Sequence, residues 1–438
     1  MRIEAIITEG FEPFADQIIE FPPIDEAGIG EAQLLTGPNG TGKTRLLSLL
    51  AAACGNSKNF DERTTNGKQR CAVVVRLGAD EQYVWISSQK KGYSFKGDFS
   101  WPRFLEFLRH SDWLSRLSSS PLTFDLGPDS LLLLVNAQNP AAFFAFRGTA
   151  RVSDAKIEAM KTVSLGKPET HLDFDADNPS ELLCQSMANL KMASAMEQLR
   201  KGMTEPGRAT KIMERLESTV SEITGRFFSF DVTPHPQLRI RPYWGTEMLF
   251  SQLPDGLRSI IGWLVACVAK LDTQFPEHPN PLDIPLILLL DEPENHLHAA
   301  WQRFVLPAAQ KLFPHSQIIA ATHSPFVIAS VNSGWIHSLR AENGIGPVHA
   351  TKQKCSKGDS YIEAVEDVLG VTEWYDPESE AMLAKFRSMR DTVESEADLA
   401  ALNVLGESIA KRGDSLRDIV ARELVKARRL FEQESVTR

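Results

Sequence analysis

The segment Gly37-Pro38-Asn39-Gly40-Thr41-Gly42-Lys43-Thr44 follows the apolar stretch Ala32 to Leu35 and runs directly into Arg45-Leu46-Leu47-Ser48-Leu49-Leu50. A glycine-rich turn between an expected strand and an expected helix constrains the fold more than any other feature of the chain. Glycines let successive backbone N–H groups converge on phosphate oxygens, and the helix N-terminus adds positive potential. Lys43 supplies a mobile charge, and the Thr44 hydroxyl is a ligand of the kind Mg²⁺ takes. Asn39, Gly40, Thr41, Gly42, Lys43 and Thr44 are therefore the expected phosphate-binding residues. The pattern implies a nucleoside triphosphate and an α/β architecture.

A second segment completes such a site. Leu286-Ile287-Leu288-Leu289-Leu290-Asp291-Glu292-Pro293 reads as a buried parallel strand ending in two carboxylates. Strand alternation separates their tasks: Asp291 reaches Mg²⁺, and Glu292 polarises the water that attacks the γ-phosphate. Further on, the apolar run Ile318 to Ala321 leads into Thr322-His323-Ser324. A histidine at that strand end can hydrogen-bond the γ-phosphate and the attacking water. Glu292 and His323 are the candidate catalytic residues, with ATP and Mg²⁺ as substrate and cofactor.

The rest of the chain sets bounds. The net charge of −10 argues against a broadly basic nucleic-acid surface and leaves a local patch open. Five scattered cysteines, with no C-x-x-C pair, fit reduced thiols better than disulfides or zinc. Met1-Arg2-Ile3-Glu4 has no signal-peptide pattern, and the apolar runs are too short to span a bilayer. A cytoplasmic protein with no membrane contact is the expectation.

Hairpins are expected at Ile3 to Phe21, at Cys71 to Ser87 and at Phe227 to Arg241, with a short strand at Leu131 to Val135. Amphipathic helices are expected over Trp101 to Leu117, Ser180 to about Gly225, and Leu257 to Leu271. Past Thr351 the chain reads as helical, with caps at Asp376-Pro377, Ser395 with Asp398, and Ser415 with Asp418. This divides the chain into a head, residues 1–350, carrying a helical insertion at about 100–225, and a helical C-terminal extension, residues 351–438.

These motifs, in this order, resemble the ABC-type ATPase superfamily, and the resemblance covers most of residues 1–340. It implies a P-loop ATPase head with a mixed sheet. Ser251-Gln252-Leu253-Pro254-Asp255-Gly256-Leu257 lies where the superfamily carries its L-S-G-G-Q signature. Leu253 and Gly256 agree with it, while Pro254 replaces the serine that touches a partner's γ-phosphate. The resemblance thus makes Gly256 a nucleotide contact and implies a homo-oligomer, a head-to-head dimer or larger. Gln138 is the candidate for the family's glutamine that contacts Mg²⁺ and water, with a plain loop amide as the alternative. Glu294-Asn295-His296-Leu297-His298 looks like the loop of overcoming-lysogenization-defect and RecF-like ATPases, and its histidines read as loop or interface residues rather than metal ligands.

Fold class leaves the job open. Residues 180–225 are too short for the coiled-coil arms of SMC-like proteins. The tail carries no strand bearing nuclease carboxylates, and no permease-binding element is evident. The organisation resembles the ATPase subunit of Septu-type antiphage defence systems, which implies a separately encoded HNH nuclease as partner. The alternative is a RecF-like repair or recombination ATPase that clamps DNA, with a transport ATPase in third place.

Overall fold

Strands buried on both faces read as continuous apolar runs rather than as alternation, and Leu286–Asp291 and Ala142–Arg147 are two such strands paired side by side. The computed structural model describes residues 1–24, 26, 28–55, 70–76, 82–86, 122–125, 140–148, single positions between 157 and 174, 180–199, 205–233, 238–242, and 247–437 apart from 356–359, 372 and 394. In chain order the described strands are β1 (Arg2–Glu9), β2 (Gln17–Glu20), β3 (Glu31–Thr36), β4 (Arg70–Arg76), β5 (Gln82–Ile86), β6 (Leu122–Asp125), β7 (Ala142–Arg147), β8 (Phe228–Val232), β9 (Leu238–Pro242), β10 (Leu286–Asp291), β11 (Ser316–Ala321), β12 (Gly334–Ala341) and β13 (Val348–Lys354). The main helices are α1 (Lys43–Ala53), α2 (Ser180–Leu199), α3 (Arg208–Thr224), α4 (Asp255–Gln274), α5 (Ala299–Leu312), α6 (Pro325–Ser330), α7 (Pro377–Asp391), α8 (Glu396–Ala410) and α9 (Asp414–Thr437).

The central sheet runs β13-β12-β3-β11-β10-β7. Its strands are parallel except β13, which turns back antiparallel on β12. Alternate residues of each strand serve different cores. Leu286, Leu288, Leu290, Ile318, Ala320, Phe144 and Phe146 pack with α2 to α5, while Ile287, Leu289, Ile319, Ala321, Phe143 and Ala145 pack with α1. The second core is closed by a sheet of order β2-β1-β4-β5-β6. Each leucine or isoleucine fully buried this way contributes about 1.5–3 kcal/mol. The fold is therefore an α/β P-loop architecture with a mixed sheet, and the expected hairpins β1–β2, β4–β5 and β8–β9 are all formed.

Three expectations need correction. The stretch 100–225 is not a purely helical insertion, because Ala142-Phe143-Phe144-Ala145-Phe146-Arg147 is the edge strand beside β10. Its alanines have weak strand preference, but small side chains suit a strand packed on both sides. The expected strand at 131–135 and helix at 101–117 lie outside the described residues. The boundary at 350/351 falls inside β13, whose pairing with β12 keeps it with the head, and the chain divides instead into Met1–Leu369 and Gly370–Arg438. Finally, the last helix begins at Asp414 rather than being capped by Ser415, whose hydroxyl lies 2.7 Å from the Tyr375 hydroxyl.

The second unit is a three-helix assembly built on Leu383, Phe386, Leu402, Ile409, Leu416, Val420 and Ala427. Asp376 caps α7 with Pro377 in its first turn, and Ser395 and Asp398 form a capping box on α8. No described helix is long and apolar enough to cross a membrane.

Candidate nucleotide site

The loop after β3 owes its shape to glycine. Gly37, Gly40 and Gly42 have φ of 139°, 84° and 92°, values that side chains beyond glycine rarely adopt. A Cβ on Gly42 would also come 2.5 Å from the Phe14 ring. Gly42 forms the N-terminal boundary of α1, so the helix opens at Lys43 with its N–H groups directed into the loop. Lys43 Nζ donates to the carbonyls of Gly37 at 2.7 Å and Pro38 at 2.9 Å. Burial pushes its pKa down to about 8, against the pull of Glu292 and Asp291. Thr41 donates to the Pro38 carbonyl at 2.9 Å, and Asn39 and Gly40 are exposed at the loop tip.

Parallel pairing of β3, β11 and β10 brings their C-terminal ends to one edge, where α/β sheets bind ligands. There the Thr44 hydroxyl lies 3.2 Å from each oxygen of Asp291. Two hard oxygen donors at this spacing fit Mg²⁺. Burial raises the Asp291 pKa, and Arg147 and the Thr44 hydroxyl pull it back. The Glu292 carboxylate takes a hydrogen bond from Asn295 Nδ2 at 2.8 Å and lies 3.8 Å from His323 Nε2. Burial, then the charge of Lys43, lowers the pKa of His323 despite the two carboxylates, which favours the neutral imidazole. Thus Lys43, Thr44, Asp291, Glu292 and His323 converge. Gln138 lies outside the described residues.

Gly256 has a different surrounding. It is buried in the first turn of α4, and a Cβ there would come 2.5 Å from the His296 carbonyl oxygen. The exposed members of that segment are Ser251, Gln252, Pro254 and Asp255. His298 caps α5 by accepting the Ala300 N–H at 3.2 Å, a loop role, and no metal-binding cluster of His, Cys, Asp and Glu occurs among the described residues.

Sequence reasoning missed three residues here. Arg147, paired in register with Asp291, places its guanidinium 3.5 Å from that carboxylate. The signal was available: an apolar run ending in a charge, as in Leu286 to Asp291. Gly148 donates its N–H to the Asp291 carbonyl at 2.9 Å and accepts the Ser259 hydroxyl through its own carbonyl. Glu294 is buried beneath the site and accepts the Thr322 hydroxyl and, at 3.2 Å, the His323 N–H. The turn itself is strained, since Glu292 and His296 have φ of 52° and 65°.

Comparisons with known proteins place the chain among relatives. The relative described as "Retron Ec83 probable ATPase" of Escherichia coli is 37% identical over 89 residues, which is 20% of this chain and 16% of that protein. "Retron Vc95 probable ATPase" of Vibrio cholerae serotype O1 biovar El Tor is 31% identical over 122 residues, 28% of this chain and 23% of that protein. "Septu protein PtuA" of Bacillus thuringiensis is 25% identical over 151 residues, 33% of this chain and 38% of that protein, in keeping with the resemblance read from the motifs. The chain thus matches well under two thirds of the length of each of these relatives. Among solved structures, the SMC head domain from Thermotoga maritima is similar at 13% identity and a TM-score of 0.40, covering 80% of this chain and 99% of that one. A family model matches residues 86–329, more than half of the 438. The chain belongs to that family, described as "AAA domain, putative AbiEii toxin, Type IV TA system".

Proposed function

We propose that this protein binds and hydrolyses ATP with Mg²⁺ and serves as the nucleotide-driven regulatory subunit of an antiphage defence assembly that controls a separately encoded HNH nuclease. The observation that carries the reading is the meeting of Lys43 and Thr44 with Asp291, Glu292 and His323 at one sheet edge. Lys43 leaves its loop carbonyls to take phosphate oxygens. Thr44 and Asp291 would hold Mg²⁺, which when bound would neutralise charge on the phosphate oxygens. Glu292, oriented by Asn295, accepts a proton from the attacking water, and neutral His323 completes the polar wall of the same cleft. Ser251, Gln252, Pro254 and Asp255 form an exposed face suited to a second copy of the chain, and the unit 370–438 is the proposed docking region for the nuclease. The names of the retron and Septu relatives support the defence context.

Glu292→Gln should bind ATP as wild type does while turnover falls roughly 10²–10⁴-fold, the usual contribution of a general base. Lys43→Ala should weaken binding itself. Equal turnover in wild type and Glu292→Gln removes Glu292 as the base. Both variants should abolish protection against phage in a plaque assay, and deletion of residues 370–438 should end co-purification with the nuclease. ATP-dependent, salt-sensitive DNA binding without a nuclease partner would favour the DNA-clamp reading instead.

A further inference from the structure

We propose that Glu294 is a positioning residue that holds His323 in place against Glu292, setting the rate of the hydrolysis step without contributing to nucleotide affinity. The inference rests on the ATPase reading above and on an arrangement that packing alone does not explain. Glu294 is only 7% exposed, and no cation pairs with it among the described residues. Its Oε1 takes both the Thr322 hydroxyl and the His323 N–H, whereas its Oε2 is buried with no hydrogen-bond partner among the described residues. Burying a carboxyl this way is costly, and an apolar side chain of similar size would serve a core better.

The location of the bonds supplies the reason. Glu294 belongs to the turn that carries Glu292, and both of its donors belong to the strand end that carries His323. The turn is closed on its own side by the Asn295 and Leu297 N–H groups, which donate to the carbonyls of Glu292 at 3.1 Å and Glu294 at 3.0 Å. The strand end is fixed beyond His323 as well: the Ser324 N–H donates to Thr322 Oγ1 at 3.0 Å, and the Ser324 hydroxyl donates to Gln302 at 2.6 Å. Gln302 links the far ends of the two segments, through the Leu297 carbonyl and the Ser324 hydroxyl, and Glu294 is the side chain that bonds the His323 backbone itself, beside the 3.8 Å approach of His323 to Glu292. Burial pushes its carboxyl above the usual range, with Glu292 adding to the effect and the hydrogen bonds opposing it. A neutral glutamine, which retains an oxygen at the Oε1 position, should therefore reproduce the bracket.

The test compares wild type, Glu294→Gln and Glu294→Ala in steady-state ATP turnover and in binding of a fluorescent ATP analogue, with Glu292→Gln run in parallel. Glu294→Ala should lower kcat about tenfold or more while the dissociation constant stays within about twofold, and Glu294→Gln should recover most of the rate. In ¹³C-histidine-labelled protein without nucleotide, the His323 resonance, identified by its loss in His323→Gln, should move in Glu294→Ala and stay in place in Glu294→Gln. If Glu294→Ala does not fold, Thr322→Val removes one of the two donors and carries the same expectation for kcat. The proposal is overturned if Glu294→Ala or, in its place, Thr322→Val turns over ATP at the wild-type rate, or if Glu294→Gln is as impaired as Glu294→Ala. Absence of Glu292-dependent turnover in wild type would overturn the ATPase reading instead, and the His323 resonance would still decide the role of Glu294.

Discussion

Gly148→Ala should be far more damaging than the addition of one methyl group suggests. The residue follows β7, and its Cβ would overlap the Glu292 carbonyl oxygen, lying 2.8 Å from that carbonyl carbon and 3.2 Å from the Asn295 Cβ. Non-bonded carbon atoms rest about 3.5–4.0 Å apart, so the carbonyl carbon alone must retreat by about 0.7 Å or more, and its overlapped oxygen by further still. The strand has little freedom to yield. It is paired with β10 along its length, and Gly148 is bonded to both Asp291 and Ser259. The displacement therefore falls on the turn that carries Glu292. Overpacking of this kind costs typically about 1–3 kcal/mol, a fall in Tm of roughly 1–4 °C for a unit of this size. A catalytic group moved by about 1 Å can cost on the order of 100-fold in rate. Steady-state ATP turnover and a thermal melt check both figures, with Gly413→Ala as control because a Cβ there meets nothing within 4 Å. A Gly148→Ala protein with wild-type kcat and Tm would refute the argument.

Two further expectations concern charge. Arg147→Ala removes a cation that competes with Mg²⁺ for Asp291, so the Mg²⁺ concentration for half-maximal turnover should fall about two- to fivefold, the equivalent of roughly 0.5–1 kcal/mol for a partly exposed pair; a rise would show that the guanidinium serves the nucleotide. His337 is fully enclosed, with its Nε2 2.8 Å from Gln33 Oε1, and burial lowers its pKa to about 3. The unfolded chain takes up a proton there below about 6.5 and the folded one does not until about 3, so stability should fall with pH across that window. At pH 5 the loss is about 2 kcal/mol. Chemical denaturation of wild type at pH 7 and pH 5 should show it, and the pH dependence should shrink in His337→Gln; an unchanged slope would rule out His337 as its source.

Much of the head was legible because its strands are extreme cases. Leu286 to Leu290 and Ile318 to Ala321 are apolar on both faces, and the carboxylates and histidine that follow them mark the sheet edge where chemistry gathers. The same pattern at Ala142 to Arg147 was obscured by alanine, and with it went Arg147. Asp376 and Ser395 announced their helices through local hydrogen bonding, whereas Ser415 is engaged by a tyrosine some forty residues away, which local sequence does not disclose. Glu294 was illegible for a related reason: a glutamate among polar residues reads as solvated, and only the return of β11 beside β10 closes over it. The left-handed backbone at Glu292 has no sequence signature, because glutamate is not of a type that prefers it, whereas His296 is of a type enriched there.

That backbone has a consequence for anyone who redesigns the chain. Glycine would adopt the conformation of Glu292 at no steric cost, so a library selected for thermostability or solubility would drift towards glycine at this position. The first gains in robustness would come from erasing the residue proposed to activate water, and the most stable descendants would be recognisable folds with an inert cleft.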